Sequence, residues 1–273
     1  MQIISSASKL KELLRKEQGS IGFVPTMGAL HEGHLTLIRE SKKQNDITVV
    51  SIFVNPTQFL KGEDLDKYPR RDEADKKICE VAGVEYLFMP SADEIYSEDE
   101  AKIQAPEVRG YILEGATRPG HFSGVLGVVM KLLNIVSPTH AYFGKKDAQQ
   151  LFLIEQMVKS YFLDAKIVPV DTVRESDGLA LSSRNVYLSE KERKEALKIP
   201  ASLNLARSLI TQGVYDARKI EEEMRKLLAP LQIEYVAIVS RDFEYRKTIE
   251  IGDTIILVEV IVGTTRLLDN IWI

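Results

Sequence analysis

Two histidines three residues apart, His31 and His34, are the residues of this chain best suited to chemistry. An apolar run at 21–24 precedes them, and a segment with apolar residues on one helical face follows, so the pattern predicts a strand, a tight turn and a helix. The first turn of a helix carries unpaired N–H groups and the positive end of the dipole. Because Gly28 and Gly33 lack a Cβ, a phosphate-sized group can approach the backbone closely. The stretch therefore predicts a site for a nucleoside triphosphate.

Plainer interpretations of His31-Glu32-Gly33-His34 remain open, namely a surface turn or a pair of helix-capping histidines. A zinc site is disfavoured, because the zinc motif H-E-x-x-H places its histidines four residues apart. The chain has four histidines and one cysteine, which do not form a ligand cluster in the sequence. We therefore expect no protein-held metal.

Two further polar segments follow predicted strands. The neutral amides of Asn55 and Gln58 can hold a carboxylate or a hydroxyl without adding charge, although the segment is equally a turn held by Asn and Pro. Gly144, Lys145, Lys146 and Asp147 precede a helix and suit phosphate and ribose contacts. Alternatively, the aspartate is an ordinary N-cap and the two lysines are a solvated pair.

Two later segments carry the same ambiguity. The hydroxyls of Ser182 and Ser183 and the guanidinium of Arg184 can close over a triphosphate and neutralise its charge, or the segment is a linker. His121 precedes a predicted helix, where it either contacts substrate or holds the helix entrance.

The composition excludes several classes of protein. Hydrophobic residues make up 44% of the 273 residues and charged residues 28%, a balance typical of a globular protein. The net charge of −4 argues against a nucleic-acid binder. A single cysteine fits a reducing compartment, and neither a basic-then-apolar leader nor a membrane-length apolar run is present. We expect a soluble, cytoplasmic protein with no nucleic-acid partner and no membrane attachment.

The apolar pattern predicts two domains. Up to residue 174, strands at 21–25, 47–54, 85–89, 141–143 and 166–170 alternate with helices at 6–16, 34–44, 70–82, 125–136 and 148–162, which predicts a parallel α/β sheet. In 175–273, helices at 189–198, 201–212 and 217–228 precede strands at 234–240, 254–262 and 264–268, which predicts a smaller α+β domain acting as a lid. The dinucleotide fingerprint G-x-G-x-x-G is missing after the first of these strands, which disfavours a dehydrogenase.

An ordered set of motifs spans most of the chain: PTMGALHEGH at 25–34, FVNPTQF at 53–59, YPR at 68–70, GHF at 120–122, FGKKD at 143–147, QQ at 149–150 and LSSRN at 181–185. Together they resemble the pantothenate synthetase (pantoate–β-alanine ligase) family, in which His31 and His34 correspond to the HIGH motif. The resemblance implies a Rossmann-like nucleotidyltransferase domain, a homodimer, and a two-step reaction. In that reaction pantoate attacks MgATP to give pantoyl adenylate and pyrophosphate, and β-alanine then displaces AMP to give pantothenate.

The resemblance also implies roles for particular residues. His34 would donate a proton, with His31, Lys146 and Arg184 supplying positive charge in catalysis. ATP would be bound by Met27, Gly28, Ala29, Leu30, His31, Glu32, Gly33, His34, Gly144, Lys145, Lys146, Asp147, Val173, Leu181, Ser182, Ser183 and Arg184. The substrate-binding candidates are Gln58, Gln150, Asn55 and His121.

Two other functions share this architecture. A simple nucleotidyltransferase would join a nucleotide to a phosphate-bearing acceptor and stop there. We would expect extra cationic residues for such an acceptor, whereas Gln58 and Gln150 suggest a neutral site for a carboxylate and hydroxyls. A non-catalytic nucleotide sensor would bind ATP without turnover and would lack a histidine or lysine among the phosphate contacts; none is missing.

Overall fold

A computed structural model describes all residues from Met1 to Ile273. The chain divides into two compact units, one formed by Met1–Lys145 and Leu153–Asp171, the other by Lys146–Phe152 and Thr172–Ile273. By its contacts the short segment Lys146–Phe152 therefore belongs with the second unit, whereas the sequence pattern placed it in the first domain. No helix combines the length and the apolar character that crossing a bilayer requires.

The first unit contains a six-stranded parallel sheet, as the sequence predicted. The strand order is β1-β4-β3-β2-β5-β6. Chain order runs outward from β2 through β3 to β4 and then returns to the other side of β2 for β5, so the carboxyl ends of β2 and β5 flank the point where the winding direction switches. The strands are β1 (Gln2–Ile4), β2 (Ile21–Thr26), β3 (Ile47–Ile52), β4 (Tyr86–Phe88), β5 (His140–Gly144) and β6 (Lys166–Val170).

Apolar side chains explain why these strands lie inside the unit. Every residue of β3 is buried, Thr48 and Ser51 included, which requires cover on both faces of the sheet. One face packs against α2 and α3 through a cluster that includes Leu37, Ile38 and Cys79. The helices in chain order are α1 (Ala7–Leu14), α2 (Glu32–Gln44), α3 (Asp72–Val81), α4 (Ala92–Ile95), α5 (Glu114–Thr117), α6 (His121–Val136) and α7 (Ala148–Ser160).

The second unit places three helices against an antiparallel sheet of order β7-β8-β9, which confirms the predicted α+β arrangement. Strand β8 pairs with β7 over 254–261 and with β9 over 255–262, and its residues alternate between helix-facing and opposite sides. Met224 and Ile256 are fully buried in the core between helices and sheet. The elements are α8 (Glu190–Ala196), α9 (Lys198–Thr211), α10 (Ala217–Leu228), β7 (Gln232–Ser240), β8 (Thr254–Val262) and β9 (Thr265–Trp272).

Candidate active site

The paired histidines lie at the start of α2, directly after the carboxyl end of β2. The helix begins at Glu32, two residues before the predicted start, and His31 is its N-cap. The Nδ1 atom of His31 accepts a hydrogen bond from the Gly33 N–H at 3.2 Å. His34 Nδ1 accepts from the His31 N–H at 3.3 Å, which completes a capping box. The centroids of the two rings lie 4.1 Å apart, and the ring planes are tilted by 36°. The plainer interpretation, capping histidines, is therefore also correct.

The capping bonds determine which ring nitrogen each histidine can present. Because both Nδ1 atoms accept from backbone N–H groups, the neutral rings of His31 and His34 carry their protons on Nε2. Each neutral ring therefore carries its N–H on Nε2, at the positive end of a helix dipole. Two donors and a positive potential suit the oxygens of a phosphate chain.

A buried carboxylate holds the turn that leads into this helix. Asp75 on α3 is 1% exposed, and its two oxygens accept from the Ala29 N–H at 2.7 Å and the Leu30 N–H at 2.8 Å. Ala29 has a φ of +49°, a left-handed conformation that costs energy for a residue with a Cβ. Burial raises the pKa of Asp75, although the bonds from Leu30 and Ala29 oppose the rise. Asp75 thus fixes the backbone on which the histidines depend.

The turn after β3 presents a second polar group at the same edge of the sheet. Asn55 is 1% exposed and caps a short 3₁₀ helix, Pro56–Gln58. Its Nδ2 donates to Gln58 Oε1 at 3.0 Å, and Gln58 Nε2 lies 3.2 Å from the thioether sulfur of Met27. The last contact joins this turn to the one after β2, so the structure brings the two predicted groups together.

His121 lies in a buried network rather than at an open surface. Its Nε2 is 3.0 Å from Arg118 Nη1 and its Nδ1 is 2.7 Å from the Gln58 carbonyl oxygen. Arginine only donates and a carbonyl only accepts, so the ring is neutral with its proton on Nδ1. Burial lowers the pKa of His121, in agreement with a neutral ring. Both ring nitrogens are engaged by the protein, so this geometry favours the helix-entrance alternative over substrate contact.

Arg118 ties this network to two carboxylates. It makes a bidentate pair with Glu63, from Nε and Nη2, at 2.7 Å each, and donates to Glu114 at 2.8 Å. Burial favours the neutral acid of Glu63, but the hydrogen bonds from Arg118 and from the Leu60 N–H outweigh it and lower the pKa of Glu63. Arg118 and Glu114 are buried and Glu63 is partly buried, and the hydrogen bonds among them form a rigid support beneath Gln58.

The carboxyl end of β5 supplies Gly144 and Lys145 to the first unit. The ammonium of Lys145 lies 2.6 Å from the carboxylate of Asp171, which follows β6. At the end of β2, the side chain of Glu32 pairs with Arg39 on the exposed side of α2. These residues therefore lie at the sheet edge that the sequence predicted, with both charges already paired.

The remaining candidates belong to the second unit. Lys146 Nζ is 3.1 Å from Asp147 Oδ1, and its carbonyl accepts from Asn270 Nδ2 at 2.7 Å. Gln150 is half-buried in the first turn of α7. The predicted serine–arginine segment is ordered locally: Ser182 caps a short 3₁₀ helix, Ser183–Tyr187, by accepting from the Arg184 N–H at 3.2 Å.

Strand β9 connects these two segments of the second unit. Arg174 forms a bidentate pair with Asp269, at 2.6 and 2.9 Å, and donates to the Asn270 carbonyl. The Leu181 N–H donates to the Val173 carbonyl at 3.0 Å, which places these two candidates side by side. Asn270 therefore contacts the Lys146 turn with its side chain and the Arg174 segment with its backbone.

Sequence reasoning missed four supporting residues: Asp75, Tyr96, Arg118 and Asn270. Each is polar, at least partly buried and bonded to a segment far along the chain. The only signal that could have pointed to Arg118 is its position three residues before His121. Nothing local distinguishes Asp75 from the other acids of α3.

A twisted parallel sheet with paired histidines at the helix start after a central strand defines a Rossmann-like domain of the nucleotidyltransferase type. The family model for pantoate–β-alanine ligase matches residues 2–272. The chain belongs to this family.

Relatives in sequence and solved structures are similar to this chain over nearly their whole length. Pantothenate synthetases from Sulfurimonas denitrificans and Aliarcobacter butzleri are 61% and 56% identical over 273 residues, covering 100% of each chain. The crystal structure of pantothenate synthetase from Thermus thermophilus superposes with a TM-score of 0.95 at 39% identity, covering 99% of both chains. A pantoate–β-alanine ligase from Francisella tularensis, in complex with β,γ ATP and β-alanine, superposes with a TM-score of 0.83 at 35% identity, covering 100% of this chain and 97% of that one.

Proposed function

We propose that this enzyme condenses pantoate with β-alanine at the expense of ATP, through pantoyl adenylate, releasing pyrophosphate and then AMP. The observation that carries the proposal is membership of the pantoate–β-alanine ligase family across residues 2–272. The chemistry is consistent: a carboxylate is a poor acyl donor until one of its oxygens becomes part of a good leaving group, and AMP is such a group. The amine of β-alanine then attacks the activated acyl carbon.

In the first step, charge develops on the phosphate oxygens while the pantoate carboxylate attacks the α-phosphorus. We assign His34 as the proton donor toward the phosphates, with His31 as a second donor beside it. Support comes from the capping bonds: because they occupy Nδ1, Nε2 is the ring nitrogen through which each histidine would act. This step needs no covalent intermediate with the protein, because positioning of the reactants and stabilisation of the developing charge lower most of its activation barrier.

Gln58 is assigned to pantoate and lies near the β-alanine position, with Asn55 holding it. Its neutral amide suits a carboxylate-bearing acceptor and introduces no charge of its own. Gln150 is also assigned to pantoate. His121 is assigned to the support of Gln58, because its two nitrogens are engaged by Arg118 and a carbonyl.

The other assignments concern ATP. We assign Lys146 and Arg184 to the neutralisation of phosphate charge, because both are cationic and half-buried. The remaining residues assigned to the nucleotide are Met27, Gly28, Ala29, Leu30, Glu32, Gly33, Gly144, Lys145, Asp147, Val173, Leu181, Ser182 and Ser183.

Magnesium is assigned to the substrate. The chain has no cluster of three or more His, Cys, Asp or Glu side chains arranged to hold a metal ion. Mg²⁺ would arrive with the phosphates of ATP and neutralise part of their charge. We further assign a homodimer from the family resemblance and a cytoplasmic location from the low cysteine content.

A product assay tests the proposal. Purified protein is given MgATP and D-pantoate, with and without β-alanine, and pyrophosphate, AMP and pantothenate are measured separately. We expect a burst of pyrophosphate without β-alanine, and release of AMP with pantothenate only when β-alanine is added. Replacing β-alanine by an equal concentration of propionate, which lacks the amine, is the matched control.

The same assay separates the rival functions. Steady pyrophosphate release with a phosphate-bearing acceptor, but no AMP release with β-alanine, would identify a simple nucleotidyltransferase. ATP binding without any product would identify a nucleotide sensor. Either result would contradict the ligase.

A further inference from the structure

The amide of Gln58 has two chemically opposite ends, and the end it presents decides what it can bind. A carboxylate only accepts hydrogen bonds, so it needs the Nε2–H₂ group and is repelled by the Oε1 oxygen. Which end points outward therefore determines whether this residue can select a carboxylate-bearing acceptor. Neighbours with unambiguous roles settle the orientation.

Asn55 is oriented by two backbone groups that each have one role. The Thr57 N–H can only donate and lies 3.3 Å from Asn55 Oδ1; the Gly124 carbonyl can only accept and lies 3.2 Å from Asn55 Nδ2. The atom of Asn55 that is 3.0 Å from Gln58 is therefore the donor Nδ2. Gln58 must meet it with Oε1, and Nε2 is the end that remains for a ligand.

Tyr96, the residue after α4, strengthens this orientation from a distant part of the chain. Its hydroxyl donates to Asn55 Oδ1 at 2.6 Å and also lies 3.1 Å from Thr57 Oγ1. The ammonium of Lys131 lies 4.7 Å from the centre of the tyrosine ring and steadies it. Burial raises the pKa of Tyr96, so the hydroxyl keeps its proton and remains a donor.

The backbone of Gln58 is immobilised independently of its side chain. Its carbonyl accepts from His121 Nδ1 at 2.7 Å, and Arg118 donates to it at 3.4 Å. Helix α6 approaches so closely at Gly124 that a Cβ there would lie 2.2 Å from the Thr57 carbonyl oxygen. Because the backbone is held in this way, only the side-chain torsions of Gln58 remain free, and the hydrogen bond from Asn55 restricts them.

We propose that Tyr96 and Asn55 are positioning residues that lock the amide of Gln58 with its N–H₂ toward the acceptor, and so make the site selective for the carboxylate of pantoate. The proposal rests on the proposed function, because it assigns the acceptor to Gln58. The contact of Nε2 in the structure, the thioether of Met27 at 3.2 Å, is a weak acceptor that a carboxylate oxygen displaces.

The first experiment removes the tyrosine hydroxyl alone. Tyr96→Phe should raise the KM for pantoate about 3- to 10-fold, the worth of one neutral hydrogen bond, while the KM for ATP stays within twofold of wild type. Tyr161→Phe, which removes a hydroxyl from an exposed tyrosine, is the matched control. A pantoate KM within twofold of wild type in Tyr96→Phe, or equal increases for both substrates, would overturn the proposal.

The second experiment tests the polarity of the amide through pH. In Gln58→Glu the introduced carboxyl group keeps one oxygen for Asn55 and turns the other toward pantoate, so ionisation sets like charges together and should raise the pantoate KM about 100-fold at pH 8. At pH 5.5 a larger protonated fraction restores an O–H donor, and the increase over wild type should shrink about tenfold or more. The titratable groups around this position are present in both proteins: Arg118, His121 and Tyr96. Their titration therefore cancels in the ratio of the pantoate KM of Gln58→Glu to that of wild type.

A ratio of pantoate KM values that does not change with pH would mean that Gln58 acts through packing alone, and would overturn the proposal. Failure of the proposed function looks different, because wild-type protein would then form no pantothenate. If wild-type protein forms pantothenate but Tyr96→Phe leaves the KM for pantoate unchanged, only the positioning role of Tyr96 is contradicted.

Discussion

Each histidine of the H-x-G-H turn divides its two ring nitrogens between two tasks. Nδ1 caps the helix, which fixes the ring plane and the tautomer, and the N–H of the neutral ring therefore lies on Nε2. The hydrogen bonds that stabilise the first turn of α2 therefore also orient the imidazole rings that are proposed to act on phosphate.

Replacement of His34 tests its assigned role. His34→Ala should lower the rate of pantoyl adenylate formation by about 10²–10⁴-fold, the usual contribution of a positioned proton donor. Rapid-quench measurement of the adenylate checks this. His34→Gln, which retains an N–H donor but cannot transfer a proton, should recover little of the rate if proton transfer matters.

Lys43→Ala, at an exposed ion pair on the same helix, is the control for general damage to α2. Adenylate formation by His34→Ala within tenfold of that control would refute the assignment. A full recovery in His34→Gln would reassign His34 to hydrogen bonding alone.

His121 gives the free energy of unfolding a defined pH dependence. Burial lowers its pKa below the ordinary value of 6.5, against the opposing charge of Glu114, so between the two pKa values the unfolded chain binds a proton that the folded chain does not. Stability should therefore be complete above about pH 7 and fall as the pH drops below 6.5. Wild type should lose up to about 1 kcal/mol more than His121→Asn between pH 7.5 and 5.5.

Denaturant unfolding of both proteins across this range provides the measurement. The neighbouring charges, Arg118, Glu114 and Glu63, are present in both, and the lowered pKa of Glu63 keeps its titration below the window. Parallel stability curves for the two proteins would contradict the neutral, buried imidazole.

At the scale of elements, α3 serves the site without contributing a residue to the chemistry. Its apolar face packs on the sheet, and its first turn delivers Asp75 to the turn before α2. Two N–H groups and one carboxylate make a short, charge-assisted clamp. The clamp holds Ala29 in its left-handed conformation and so fixes the direction in which His31 enters the helix.

Asp75→Asn should weaken this clamp, because an amide offers one acceptor and directs its own N–H₂ at a backbone donor. We expect the free energy of unfolding to fall by about 1–3 kcal/mol, and adenylate formation to slow by a larger factor than ATP binding weakens. Urea unfolding and single-turnover assays measure the two effects. Asp72→Asn, an exposed acid three residues earlier in the same helix, should change neither. Equal behaviour of the two variants would contradict the role of α3.

At the scale of the molecule, the last strand reaches back to a segment 124 residues earlier in the chain. Asn270 on β9 holds the Lys146 carbonyl and also accepts from Trp272 Nε1 at 2.9 Å. The adjacent Asp269 holds Arg174. The second unit thus organises the Lys146 turn and the segment after β6 through one strand.

Asn270→Ala should leave the Lys146 carbonyl without this donor, raise the KM for ATP, and lower the free energy of unfolding by about 1–3 kcal/mol. Trp272→Phe removes the indole bond to Asn270, keeps an aromatic ring beside Arg241, and is the matched control. Steady-state kinetics and denaturant unfolding give the comparison. An ATP KM in Asn270→Ala no higher than in Trp272→Phe would show that β9 does not position Lys146.

Much of this architecture follows from local pattern. Apolar pattern predicted the strands that became β2 to β9, in some cases with different ends, because a short apolar run is a property of each strand's own sequence. The element ends were less accurate. A histidine ring caps α2, so the helix begins before the predicted 34, and Gly120, with a φ of +93°, lets α6 begin at His121 instead of 125. The three-residue β1 was missed because it is too short to show a period.

The residues of the candidate site also fall into two groups, those that the sequence nominated and those that only the structure revealed. Motif types and their order were enough to nominate His31, His34, Gln58 and Lys146, and their roles stay predictions that the experiments above test. Asp75, Tyr96, Arg118 and Asn270 could not be found from sequence, because each acts through a bond to a backbone or amide group in another segment. The periodic pattern of a sequence predicts which face of an element is buried. It does not predict which distant residue packs or bonds against that face, because that depends on the packing of the complete chain.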